Sequence, residues 1–221
     1  KDVEFIYFTS EIEYYSYLLA TITVNGVNYS TGVTTATVIG MDNTVADIII
    51  QSTVNDGVTT YTVDTIAASA FTNNTVITSV VIPSSITSNG NFPFQGCSNL
   101  TSATLQCNTI GNYLFALCTG LQSITIPSNV TSVGNWTFQS CTALTSITLQ
   151  NAVMGLGMFA SCTALQSITI PSNITSVGNY AFLNCTSLTS VTLQNAVIGN
   201  NMFELCSGLT SITIPSNITS V

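Results

Sequence analysis

The sequence predicts a mainly-β solenoid of alternating 23- and 21-residue coils, with short strands in a parallel sheet and little helix. Three observations carry this. A Phe recurs at fixed spacing, the same apolar pattern follows each one, and the charges of an ordinary globular surface are nearly absent.

The recurring residues are Phe71, Phe94, Phe115, Phe138, Phe159, Phe182 and Phe203, at intervals of 23, 21, 23, 21, 23 and 21. The true unit is therefore a 44-residue pair of coils. Three residues after the Phe come Cys97, Cys118, Cys141, Cys162, Cys185 and Cys206, with Asn74 in the first copy. Three further on stand Ile77, Leu100, Leu121, Leu144, Leu165, Leu188 and Leu209, each opening an L-x-x-I-x-I pattern or a close variant, as in Leu121, Ile124, Ile126. Its period-2 step marks a short strand with one face inward. A coil of about 22 residues cannot bury that face alone, so neighbours must stack on it. Long coils continue as I-P-S-N and short ones as L-Q-N-A-V, so the two-residue difference falls in a turn and strand register is kept. Pro83, Pro127, Pro171 and Pro215 close strands because proline has no N–H for a ladder. Abundant Thr, Val and Ile, with Ser and Asn competing for backbone bonds, disfavour a long helix.

The array is expected over residues 71–221, about seven coils ending in mid-repeat, with residues 1–70 as an N-terminal β-hairpin cap holding a degenerate first coil. Asn25-Gly26 and Asp56-Gly57 are hairpin turns. Val45, Ile48 and Ile50 fit the coil template. The first 22 residues, with Tyr14, Tyr15 and Tyr17, are read as a further strand or a contact to another chain.

Charge narrows the function. The 221 residues hold Lys+Arg 1, Asp+Glu 9 and no His; 5% are charged and 46% hydrophobic, against about 25% charged in ordinary domains. With Lys1 as the lone cation, nucleic-acid phosphates have no partner. Without His, Ser-His-Asp and Cys-His mechanisms cannot be assembled, and no enzyme is expected. Beyond Asp64 only Glu204 is charged, so the repeat surface is built from Ser, Thr, Asn and Gln. That surface suits an extracellular, cell-surface or virion setting. No apolar run is long enough to span a membrane, and Lys1 opens an acidic segment without the apolar core of a signal peptide.

The pattern F-x-x-C-[TS]-x-L-[TQ]-S-[IV]-T-[IL]-P-S-[NS]-[VI]-T-S-V-G-N-x-x-F resembles the BspA-like leucine-rich repeat family over residues 71–221. The resemblance implies a right-handed leucine-rich-repeat superhelix, usually on microbial cell surfaces, in proteins associated with adhesion to host proteins or other cells. Many members carry charges on the repeats that this chain lacks, which argues against a charge-driven ligand.

Four constellations bear on function. The Phe and Cys rows are structural ladders. Coil spacing permits disulfides along the Cys row, but stacked Cβ vectors share one direction, so the row reads as buried free thiols. Cys107 lies outside it, where other short coils have Asn151 and Asn195, and is expected to be the exposed thiol. The pairs Ser102/Thr104, Ser123/Thr125, Ser146/Thr148, Ser167/Thr169, Ser190/Thr192 and Ser211/Thr213 flank inward residues. They form a two-column hydroxyl lattice, a candidate face for a neutral glycan or protein ligand or for an ice-like water layer. Repetition of a strand-favouring residue accounts for the same pattern without a ligand. Sequons at Asn28, Asn73, Asn99, Asn129, Asn135, Asn173, Asn184 and Asn217 are read as chance in an Asn/Ser/Thr-rich repeat. Gly155-x-Gly157 lacks the Lys and the strand–turn–helix context of a phosphate loop. No cofactor or metal is expected: one ligand per coil cannot surround an ion.

The expected partner is a protein or glycan on another cell, or further copies of the chain. The last strand, with Leu209, Ile212 and Ile214, is an open edge in the sequence given, so self-association is expected there. The alternative function is a structural subunit of an extracellular appendage or virion fibre, assembling through the solenoid ends.

Overall fold

The computed structural model describes residues 20–194 and 197–216. Tyr14, Tyr15, Tyr17, Asn195 and Asn217 fall outside them. The described chain is a stack of β-coils led by a mixed sheet. That sheet begins with β1 (Thr21–Val24), β2 (Val27–Thr31) and β3 (Thr35–Met41). β4 (Asp47–Ile49), β5 (Thr53–Asn55) and β6 (Thr60–Ile66) follow. Asn25 and Gly26, with φ of 49° and 77°, form the turn between β1 and β2, which requires positive φ at both positions. In the second hairpin the Asp56 carboxylate accepts the N–H groups of Val58 and Thr59 and the Tyr61 hydroxyl. The sheet order is β1-β2-β3-β6-β5, with β3 and β6 parallel.

β4 lies outside that sheet and starts the stack. It pairs in parallel with β7 (Ser79–Ile82), burying Ile48 and Ile50. β8 (Ser88–Asn89) pairs with β6, so the leading sheet and the array share one hydrogen-bonded frame. Then come β9 (Ser102–Leu105), β10 (Thr109–Ile110), β11 (Ser123–Ile126), β12 (Ser132–Val133) and β13 (Ser146–Leu149). β14 (Val153–Met154), β15 (Ser167–Ile170), β16 (Ser176–Val177), β17 (Ser190–Leu193) and β18 (Ser211–Thr213) complete the array. The three- and four-residue strands pair in parallel as β4-β7-β9, β11-β13 and β15-β17-β18, and the two-residue strands as β10-β12 and β14-β16. No helix occurs among the described residues.

One continuous core runs up the stack. The Phe rings from Phe71 to Phe203 lie nearly parallel, with neighbouring centroids 4.6 to 5.7 Å apart. Beside them the thiols do more than fill space. Each Sγ–H donates to the carbonyl of the Phe in the preceding coil, from Cys97 on Phe71 (3.1 Å) to Cys206 on Phe182 (3.1 Å). Each of these carbonyls already accepts the N–H three residues on in its own coil, so the thiol takes up its second acceptor position.

The Phe turn is hydrogen-bonded without being a β-sheet. In the coil of Phe138 the N–H groups of Trp136, Phe138 and Ser140 donate to the carbonyls of Leu156, Met158 and Ala160 in the next coil. The same three-bond pattern repeats at Phe94, Phe115 and Phe159. Positive φ two residues before and two after each Phe turns these groups along the stack, as at Trp136 (56°) and Ser140 (59°).

Four residues before each Phe from Phe94 on, the coils touch through glycine. A Cβ built on Gly155 would lie 2.1 Å from the Gly134 carbonyl oxygen, and one on Gly178 2.4 Å from the Leu156 nitrogen. Both obstacles are backbone and cannot rotate aside. Gly155→Ala is expected to cost about 2–3 kcal/mol through overpacking. Urea denaturation would read this as a lower midpoint at unchanged slope. A loss under about 0.5 kcal/mol would show that the coils can part without penalty.

Candidate functional site

Strand alternation sorts each repeat into an inner and an outer row. Ile124 and Ile126 point into the core, while Ser123 and Thr125 face solvent. Ladder register carries this from coil to coil: Ser123 is opposite Ser146 and Thr125 opposite Thr148. Ser167, Ser190 and Ser211 align in turn, as do Thr169, Thr192 and Thr213. Ser79 precedes Ser102, and Val81 precedes Thr104, at the start of the two columns. The structure thus brings the sequence-predicted Ser/Thr residues onto one side of the stack. Ser190 and Thr192 are half-buried and the other ten exposed.

The face holds two kinds of hydroxyl. Thr101, Thr145, Thr189 and Thr210, one residue before each strand, donate to carbonyls of the preceding coil. Those of the two columns from Ser102 to Thr213 take no hydrogen-bond partner among the described residues. The face is not a uniform sheet. No ladder joins β9 to β11 or β13 to β15. At the first break lies a shallow depression of about 270 Å³ lined by Ser102, Thr104, Ser123, Thr125 and Pro127. At its N-terminal end Asp47 accepts the hydroxyls of Ser79 (2.7 Å) and Thr78 (2.8 Å), which hold its carboxyl below the usual range.

Cys107 corrects the expectation of an exposed thiol: it is fully buried. The period-2 alternation of β9 does not stop where the ladder stops. Leu105 points in, Gln106 out and Cys107 in again. Asn151, its counterpart in a later coil, is also fully buried. The Asn129 amide of the following coil closes over the turn by donating to the Cys107 carbonyl (3.2 Å). Burial pushes the Cys107 thiol up to about 11. The ladder thiols are buried and free as well. Among the described residues no cluster of His, Cys, Asp or Glu could hold a metal ion.

The sequons at Asn99, Asn129 and Asn173 have structural roles, since their amides donate to carbonyls of the preceding coil. Gly155 is a stacking contact and Gly157 lies beneath the Trp136 indole. A further surface row escaped the sequence reading. Phe92, Tyr113, Trp136 and Tyr180 stand half-buried, two residues before the ladder Phe, all with positive φ. Their shared offset within G-N-x-x-F was the signal that could have found them.

Comparison with known proteins fits this geometry. Residues 51–158 and 153–221 match the BspA type leucine rich repeat region, in 6 copies. The T. pallidum leucine rich repeat protein TpLRR is similar at 22% identity and a TM-score of 0.57, over 90% of this chain and 85% of that one. The pneumococcal vaccine antigen PcpA gives 17% identity and a TM-score of 0.61 over 90% of this chain and 71% of that one. A leucine-rich repeat protein from Bacteroides capillosus ATCC 29799 gives 26% identity and a TM-score of 0.52 over 58% of this chain and 97% of that one. No curated protein matches the sequence. The repeat signature covers most of the chain and its coils stack as that signature requires: the chain belongs to the BspA-type leucine-rich repeat family.

Proposed function

We propose that the chain is a non-enzymatic adhesion module, acting outside the cell or at its surface, that presents the Ser/Thr face to a neutral protein or glycan partner. The observation that carries this is the register of partnerless hydroxyls in two columns, on repeats where Glu204 alone is charged. Such a face offers directional donors and acceptors without electrostatic steering. Family membership supports the reading, because these repeats are associated with microbial surfaces and adhesion. No helix among the described residues is long and apolar enough to cross a membrane.

Beads coated with the chain, washed over cultured epithelial monolayers, test it. Retention at least tenfold above blank beads is expected, and raising salt from 0.1 to 1 M should leave it unchanged, since no ion pair contributes. T125K/T148K/T169K should bring retention close to the blank, because each ammonium would need a counter-charge at the contact. Equal retention by that variant, or retention abolished by salt, would count against the face.

A further inference from the structure

We propose that the row Phe92, Tyr113, Trp136 and Tyr180, with the asparagines beside it, is a binding stripe for a neutral saccharide chain. This rests on the reading of the chain as a binding module, but not on the Ser/Thr face.

The first observation is conformational. All four bulky residues sit at positive φ, between 54° and 64°. That region suits Gly and Asn, and a large side chain there is an outlier. The same position holds Gly157 and Asn201 in other coils, so the array has the relaxed alternatives at hand. The rings are not needed to fill the core either, since the Phe ladder fills it two residues later. A strained residue retained where a relaxed one fits is a pointer to function.

The second observation is the arrangement. Phe92 and Tyr113 stack at 4.8 Å, placing one ring per coil. The Trp136 indole lies across Gly157, where a Cβ would come within 2.2 Å of the ring. One indole face rests on backbone and the ring spans two coils. Immediately before these residues stand Asn91, Asn112, Asn135 and Asn179. The side-chain oxygens of Asn112 and Asn179 accept the N–H groups of Asn135 and Asn200 in the following coil. The exposed Asn135 side-chain amide has no partner among the described residues.

The Asn112 amide also donates to the Asn91 side-chain oxygen (3.3 Å), so among the described residues Asn135 offers the one amide of the row with both ends open. Half-exposed rings beside that amide match the chemistry of a pyranose. Its axial C–H groups suit the negative face of a ring, and its hydroxyls suit an amide that both donates and accepts. A sugar residue is about as long as one coil is thick, so an oligosaccharide could run along the stack. The absence of charge selects a neutral glycan. A protein partner would call for anchors in desolvated pockets, whereas this row is a narrow stripe bordered by amides.

Trp136 is the single Trp, so its fluorescence reports the stripe directly. The full chain is titrated with hydroxyethylcellulose, mannan and galactan, and with carboxymethylcellulose as the anionic comparison. At least one neutral polysaccharide is expected to give a saturable change in Trp emission that 1 M salt does not remove. Y113N/Y180N should weaken this at least tenfold without lowering the melting temperature, because Asn is relaxed at positive φ. Loss of stability in that variant would assign the rings a structural role and overturn the proposal. So would unchanged affinity, or no saturable response to any of the polysaccharides. T125K/T148K/T169K should titrate like the parent. If it loses bead retention but keeps the Trp response, both readings stand; if the parent beads fail to adhere while the Trp response persists, only the adhesion reading falls. Adhesion with a silent Trp136 would leave a protein partner on the Ser/Thr face and sink the saccharide stripe.

Discussion

Raising the pH from 8 to about 10 is expected to unfold this protein cooperatively, with its own cysteines as the cause. Burial holds the thiols protonated. Cys97 and Cys162 are pushed up to about 12 and Cys107 to about 11. Cys118 and Cys141 go higher still for the same reason, and Cys185 is pushed up by the adjoining Cys206 thiol and by burial. Cys206 is the exception, lowered to about 7 by its hydrogen bond with Cys185. In the unfolded chain each would ionise near 9.0.

The sign follows from proton counting. Between pH 9 and the folded values, the folded chain holds protons that the unfolded chain has released, so stability falls as pH rises. The stabilisation is fully present below pH 9. One pH unit above that value each raised thiol has lost about 1.4 kcal/mol, so the six together lose about 8 kcal/mol, of which the lowered Cys206 gives back about 1. Whole domains are stable by only about 5–15 kcal/mol. A circular dichroism titration should therefore show a steep loss of β signal with a midpoint near pH 10. The transition should release several protons and move to higher pH when ladder cysteines are replaced by Ala. Iodoacetamide at pH 8 should label Cys107 as slowly as Cys141 until urea is added. A chain still folded at pH 11, or rapid native labelling of Cys107, would mean that the thiols reach solvent.

Much of this architecture was legible in the sequence because repetition removes ambiguity. A single L-x-x-I-x-I could be many things, but the same pattern at alternating 23 and 21 spacing fixes strand, facing and stack. Asn25-Gly26 and Asp56-Gly57 were legible because turn chemistry is local. The β3–β6 pairing was not, since it joins segments separated by β4 and β5 and no local signal marks it. Cys107 was misread because inward alternation continues beyond the ladder, and hydrogen-bond pairing and facing are different properties. The aromatic row stayed hidden for a related reason. Positive φ at Phe92 or Trp136 is imposed by bonds to the next coil, as from the Trp136 N–H to Leu156 (2.7 Å), and residue type does not announce it. The hydroxyl columns could be located from sequence, but the division into bonded and free Thr needed the coil-to-coil contacts.

The Phe row gives the largest effect of any single substitution. Phe138 is fully buried and stacks on Phe115 at 5.6 Å and on Phe159 at 5.3 Å. Ala at 138 removes the ring from both neighbours and leaves a cavity that stacked backbone cannot close, because the Trp136, Phe138 and Ser140 N–H bonds fix the spacing to the following coil and the Tyr113, Phe115 and Leu117 N–H bonds fix it to the preceding one. The expected loss is about 3–5 kcal/mol, for Phe138→Ala and for Phe159→Ala alike. Phe203 is only partly buried and stacks on one described ring, Phe182, so Phe203→Ala should cost about half as much. Position in the stack also shapes the transition. A solenoid is coupled only through nearest neighbours, so weakening one interior interface should separate the halves and make urea unfolding biphasic. The Phe203 variant should keep a single transition. A loss under about 1 kcal/mol at both interior sites would show that the row is not core. Equal losses at all three sites would show that the coils unfold independently of their neighbours, and the stack would then not be the source of stability.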